Sequence, residues 1–318
     1  MIQTVFFTHL PPEQARCITA CAPPHFHIET HPTTLPDTEK IALLRDAHFL
    51  ILFPGHLADD VLISATHLRL IQLVSAGFDQ INLPLCKELG IPVANNGGTN
   101  AIDVAEHTLA LVLGLYRRLV QLDGNVRAGR WNAVSLGSDT QTVHGKTLGI
   151  VGLGHIGRRV AQLFAALGAH IVYSDPIGAD DETERALGIR RLPLDQLLSC
   201  ADIVSLHVPL SSHTRHLIGA AELARMKQSA LLINTCRGPV VDQQALSHAL
   251  REGHIAGAGI DVFETEPIAA DDPLLAHTHA LYTPHAAGVT RDTWARRGAF
   301  VFDNLQRVWD GLAPQAQL

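Results

Sequence analysis

Residues 148–157 read LGIVGLGHIG, an apolar run followed at once by Gly152-x-Gly154-x-x-Gly157. The first glycine of such a string permits a tight turn. The second lets the backbone approach a pyrophosphate, and the third lets a helix pack on a strand. A helical pattern follows, with Ile156, Val160, Leu163 and Leu167 on one face and Gly168 as a stop. Free N–H groups at that helix N-terminus would face the phosphates of a dinucleotide. Strand, turn and helix in this order point to a dinucleotide-binding βαβ unit. The next strand-like run ends in Tyr173-Ser174-Asp175, and Asp175 lies 23 residues beyond Gly152. That is near the spacing of the acid that accepts hydrogen bonds from the adenine ribose hydroxyls. A carboxylate there repels a 2′-phosphate, so NAD is expected in preference to NADP.

The rest of the chain has the same alternating character. Short apolar runs at 2–7, 49–53, 70–75 and 91–94 are separated by helix-length segments such as 58–66. The Pro-, His- and Thr-rich stretch 23–36 reads as loop with at most one short strand. One long, largely apolar helix is expected over 101–122, capped by Asn100 with Asp103 three residues on. Residues 124–145 look irregular. From 146 onward, strand-like runs at 148–153, 170–174, 203–208, 230–235, 256–262 and 280–283 alternate with helical segments, and a helical tail covers 290–311. Six strands with crossovers predict an open, doubly wound parallel sheet.

Composition narrows the function classes. The 318 residues carry 24 Lys+Arg against 31 Asp+Glu, a net charge of −7, with 47% apolar and only 17% charged residues. This mild acidity argues against a broad nucleic-acid surface or an anionic-membrane surface. No run is long and apolar enough to span a bilayer. Five scattered cysteines and the absence of a Cys-x2-Cys pair make a poor disulfide framework or zinc site. The N-terminal string MIQTVFFTHLPP lacks a basic leader region. A reducing, cytoplasmic setting is the expectation. The chain has 19 histidines, and the cluster His25, His27 and His31 lacks regularly spaced carboxylates, so no metal is expected.

Three strand ends in the second half carry chemistry. Arg237 follows the run ALLI, Asp261 and Glu266 follow AGAGI, and His285 follows HALY. Ligands in open α/β sheets bind outside the carboxyl ends of strands. An arginine can hold a carboxylate through two parallel hydrogen bonds. A histidine can give a proton, and a glutamate can hold that histidine. The set suits hydride transfer to a 2-oxo acid.

The motifs resemble those of the D-isomer-specific 2-hydroxyacid dehydrogenase family. The matching strings are VSAGFDQIN at 74–82, NAIDVAEHTL at 100–109, GIVGLGHIGR at 149–158, HVPLSSHT at 207–214, NTCRGPVVD at 234–242, AGIDVFETEP at 258–267 and TPHAAGVT at 283–290. The resemblance implies Arg237, Glu266 and His285 as the catalytic set. His285 would give a proton to the substrate oxygen as hydride arrives from nicotinamide, with Glu266 favouring the protonated imidazole. Arg237 would grip the 2-oxo acid, and the Ser75-Ala76-Gly77 turn would present N–H groups to its carboxylate. Asp261 would lie near the nicotinamide amide. The cofactor positions implied are Gly152, Gly154, His155, Ile156, Gly157, Asp175, Val208, Pro209, Thr214, Thr235, Cys236, Arg237, Asp261, His285 and Gly288.

The resemblance also implies a Rossmann cofactor domain at 100–287, inserted into a smaller flavodoxin-like α/β substrate domain formed by 1–99 and 288–318. It further implies cleft closure during turnover and a homodimer through the 101–122 helix and the arm bearing Trp131. Glu266 stands where the formate dehydrogenase branch has glutamine. A non-enzymatic NAD-sensing protein of the corepressor type is the alternative, because such proteins can retain the catalytic residues. Which small 2-oxo acid is reduced (glyoxylate, hydroxypyruvate, pyruvate or a bulkier one) is left open by these strings.

Overall fold

The computed structural model describes residues 1–131 and 133–318. Its contacts divide the chain into Met1–Asn100 with Thr290–Leu318, and Ala101–Val289.

The first unit holds β1 (Ile2–Thr8), β2 (Phe26–Pro32), β3 (Phe49–Phe53), β4 (Leu70–Leu73) and β5 (Val93–Ala94). They pair in parallel in the order β2-β1-β3-β4-β5. This is the flavodoxin-like order. Strands β1, β3 and β4 are central and largely buried on both faces, which is why β3 reads as a continuous apolar run and β1 and β4 as mainly apolar ones. The stretch expected to be mostly loop contains the seven-residue strand β2. An edge strand exposes much of its length, so His27, Glu29 and Thr30 leave no apolar signal. The last helix, Thr293–Trp309, is tied to this sheet by a buried amide network. Asn304 Nδ2 donates to Gln72 Oε1 at 2.8 Å, and Gln72 Nε2 donates to the Asn95 carbonyl at 2.8 Å.

The second unit holds β6 (Thr147–Val151), β7 (His170–Ser174), β8 (Ile189–Arg191), β9 (Ile203–Leu206), β10 (Leu231–Asn234), β11 (Gly257–Ile260) and β12 (Ala280–Tyr282). The parallel order is β12-β11-β10-β9-β6-β7-β8. Counted from β6, this is the dinucleotide-binding order with one strand added at the far edge. The strand order reverses between β6 and β9, and ligands bind at such a switch point. Strand β8, the third of the dinucleotide-binding order, is absent from the six runs expected from the sequence. Its Ile-Arg-Arg sequence buries only Ile189, so apolar periodicity could not reveal it. One face of the sheet packs Leu148, Ile150, Tyr173 and Ile233 against Val112 and Phe164. The other packs Val204, Leu206 and Leu232 against Leu197 and Leu223.

The single helix expected over 101–122 is instead two, Ala101–Tyr116 and Leu119–Arg127. Arg118 takes φ 49°, a left-handed conformation that a right-handed helix cannot contain. Arginine is a good helix former, so composition gave no sign of the break. The second helix also enters the stretch expected to be irregular. Among the described residues, no helix is long and apolar enough to cross a membrane.

Candidate active site

At the end of β6 the chain turns at Gly152, whose φ is +94°. A Cβ there would lie 2.6 Å from the His207 carbonyl oxygen. A Cβ on Gly157 would strike the Gly152 carbonyl. Both positions therefore require glycine, for positive φ and close approach respectively. Gly154 caps the helix His155–Ala166, and among the described residues no atom beyond its chain neighbours lies within 4 Å of where its Cβ would be. His155 and Ile156 open that helix; His155 is exposed and Ile156 packs on the core. The result is an open helix N-terminus beside a glycine cradle, suited to a pyrophosphate.

Asp175 follows β7. Its Oδ2 accepts from Leu153 N and its Oδ1 from Ile177 N, both at 2.8 Å. It lines a pocket of about 600 Å³ together with Val151, Arg191, Val208 and Thr214. Thr214 Oγ1 donates to the Pro209 carbonyl at 2.6 Å and accepts from Ser211 N at 2.8 Å, which shapes the 209–214 loop.

His207 opens the string HVPLSSHT, where no spacing or charge pattern marks it out. Its Nε2 meets Ser205 Oγ at 2.8 Å. Its Nδ1 is buried without a partner among the described residues. Burial pushes this imidazole down to about 3, so the ring is neutral at physiological pH. The glycine cradle and the Asp175 pocket together fit a bound dinucleotide.

The catalytic candidates come from three neighbouring strands. Asn234, the last residue of β10, organises the turn that follows. Its Oδ1 accepts from Cys236 N at 3.1 Å, and its Nδ2 donates to the Arg237 carbonyl at 3.0 Å. A buried asparagine at a strand end is the signal that could have revealed this role. Arg237 Nη1 donates to the Cys236 carbonyl at 2.7 Å. Burial raises the Cys236 thiol to about 11, which leaves it protonated and unreactive. Thr235 is buried with its hydroxyl 3.2 Å from that of Thr108.

After β12, His285 adopts φ +53°, a left-handed conformation that is strained for histidine. Asp261, fully buried after β11, holds the loop in this shape. Its carbonyl accepts from His285 N at 2.7 Å. Its carboxylate accepts from Thr283 Oγ1 at 2.6 Å, Ala286 N at 2.8 Å and Ala287 N at 2.9 Å. His107 Nε2 lies 3.0 Å from Thr283 Oγ1 and extends the network. Gly288 follows in the same turn. His285 Nδ1 meets Glu266 Oε2 at 2.8 Å, and Glu266 Oε1 accepts from Phe263 N at 3.0 Å. Burial opposes ionisation of Glu266. The hydrogen bonds from His285 and Phe263, with the charges of His285 and Arg237, outweigh it and hold the carboxyl below the usual carboxylate range. Glu266 and His285 stand in the wall of a largely apolar pocket of about 480 Å³, with Phe263, Ile268 and Tyr282.

In the other unit, the Ser75-Ala76-Gly77 turn follows β4. Ser75 Oγ donates to the Gly77 carbonyl at 2.8 Å, and Asn95 Nδ2 donates to the Ala76 carbonyl at 3.1 Å.

Residues 109–287 match the model of the D-isomer specific 2-hydroxyacid dehydrogenase NAD binding domain. The chain belongs to the D-isomer specific 2-hydroxyacid dehydrogenases. A glyoxylate reductase of Korarchaeum cryptofilum is 40% identical to this dehydrogenase over 289 residues, covering 88% of this chain and 86% of the relative. A glyoxylate reductase of Aeropyrum pernix is 42% identical over 260 residues, covering 80% and 77%. The crystal structure of the TT0316 protein from Thermus thermophilus superposes with a TM-score of 0.85 at 33% identity, covering 99% of each chain. The dehydrogenase is thus an oxidoreductase that uses a nicotinamide cofactor to interconvert 2-oxo and 2-hydroxy acids.

Proposed function

We propose that the enzyme reduces a small 2-oxo acid, glyoxylate foremost, to the 2-hydroxy acid, with D stereochemistry where the product is chiral. His285 acts as the proton donor, Glu266 as its partner and Arg237 as the substrate clamp. The His285–Glu266 hydrogen bond at 2.8 Å carries this reading. When bound, reduced nicotinamide supplies the hydride to the C2 carbonyl carbon. Arg237 holds the carboxylate and polarises the carbonyl. The ionised Glu266 keeps the Nδ1 proton in place, so Nε2 is the nitrogen that gives its proton to the carbonyl oxygen. The Ser75-Ala76-Gly77 turn contributes backbone N–H groups to the substrate carboxylate. The cofactor is held by Gly152, Gly154, Gly157 and the residues that follow β7, β9, β10 and β11. The placement of Asp175 at its pocket supports NAD over NADP. The similarity to two glyoxylate reductases supports the substrate.

Steady-state assays with glyoxylate, hydroxypyruvate, pyruvate and bulkier 2-oxo acids, each with NADH and NADPH, test the reading. The expected result is the highest kcat/KM for glyoxylate with NADH. No turnover on any of them, with tight NADH binding retained, would overturn it in favour of an NAD-sensing binding protein.

The homodimer belongs to the same proposal. Leu119, Val120 and Val126 on one helix are 52–67% exposed, and Trp131 just beyond it is 88% exposed. Neighbouring exposed apolar side chains of this size favour burial against a second copy. Light scattering at micromolar concentration should give twice the 34.4 kDa chain mass; a monomer would refute the assignment.

A further inference from the structure

Arg191 ends β8, the edge strand, and lines the same pocket as Asp175. Its guanidinium lies across the turn that follows β7. Nε and Nη2 donate to the Asp175 carbonyl at 3.1 and 2.7 Å, and Nη2 also donates to the Pro176 carbonyl at 2.8 Å. A Cβ on Gly178 would lie 2.7 Å from Nη1, so the glycine leaves room for the guanidinium. Among the described residues, the remaining N–H groups on Nη1 have no acceptor. The Asp175 carboxylate is fixed by two backbone N–H groups and does not neutralise the arginine through a direct ion pair.

We propose that Arg191 makes this pocket a latent 2′-phosphate site, which the Asp175 carboxylate alone keeps closed. The inference rests on the reading of Asp175 as the ribose acid. A guanidinium already pinned by backbone carbonyls loses little freedom on meeting a phosphate, and its planar fork suits phosphate oxygens. A carboxylate on the same turn repels that phosphate. Removing the carboxylate therefore leaves a site that needs no added cation.

The test is calorimetric titration with 5′-ADP and 2′,5′-ADP, read as the ratio of the two dissociation constants. Wild type should favour 5′-ADP. Asp175→Ser should shift the ratio at least about tenfold towards 2′,5′-ADP. Asp175→Asn, which keeps the side-chain shape, should shift it in the same direction. Adding Arg191→Gln to Asp175→Ser should abolish most of the shift, whereas adding Arg191→Lys should retain much of it. Binding of 5′-ADP by each variant confirms an intact pocket. A shift that survives Arg191→Gln, or no shift in either Asp175 variant, overturns the proposal. So does loss of 5′-ADP binding on Arg191→Gln, which would make Arg191 a structural clamp only. A wild type that prefers 2′,5′-ADP would instead refute the reading of Asp175. Arg191→Gln alone would then have to remove that preference for the phosphate assignment to stand.

Discussion

His285→Asn is expected to lower kcat at least ~100-fold while leaving the dissociation constant for NADH within about threefold of wild type. Asparagine is the informative replacement because of the backbone. Position 285 has φ +53°, which asparagine tolerates better than alanine does. The variant therefore removes the proton donor with little change in loop strain. His285→Ala should lose at least as much turnover, with some added destabilisation. Stopped-flow measurement of the single-turnover rate, together with NADH fluorescence titration, separates chemistry from binding. Near-normal turnover in His285→Asn would end the assignment of the proton donor. Loss of NADH binding in step with kcat would show a collapsed site instead of lost chemistry.

Asp261→Ala should be the most destabilising single change at the site. It deprives the Thr283 hydroxyl and the Ala286 and Ala287 N–H groups of their carboxylate acceptor in a fully buried position. Each unsatisfied buried donor costs about 1–3 kcal/mol, and the three share one network, so a total of about 3–5 kcal/mol is expected. For a unit of this size that is a fall of roughly 10 °C in Tm. The loop that holds His285 in its strained conformation loses its support, so kcat should fall as well. Differential scanning calorimetry with a parallel assay checks both. A Tm within about 2 °C of wild type would show that Asp261 does not organise this loop.

Some of the architecture was legible because local chemistry demanded it. The glycine turn at 152–157 leaves few backbone alternatives, and doubly buried strands such as β3, β6 and β10 are built mainly from apolar residues. The edge strands β2 and β8 were illegible for the converse reason. Half-exposed backbone tolerates polar side chains, so nothing in His27–Glu29 or Arg190-Arg191 announces a strand. The helix break at Arg118 was equally silent, because the residues around it favour helix.

The candidate site divides along the same line. Arg237, Glu266 and His285 could be picked out from their places after successive apolar runs and from the motifs around them. The sequence also carried Asp175 at the right distance from the glycine turn. Other features depend on pairs distant in the chain, and only the tertiary structure brings them together. Glu266 meets His285 at 2.8 Å because β11 and β12 are adjacent in the sheet. Asp261 spends its carboxylate on the 283–287 loop for the same reason. Arg191 reaches the Asp175 turn because β8 pairs with β7. Local sequence determined which strands and turns could form and which residues stand at their ends. Sheet order decided which ends face one another, because hydrogen bonding and charge act over a few ångströms of space whatever the separation along the chain.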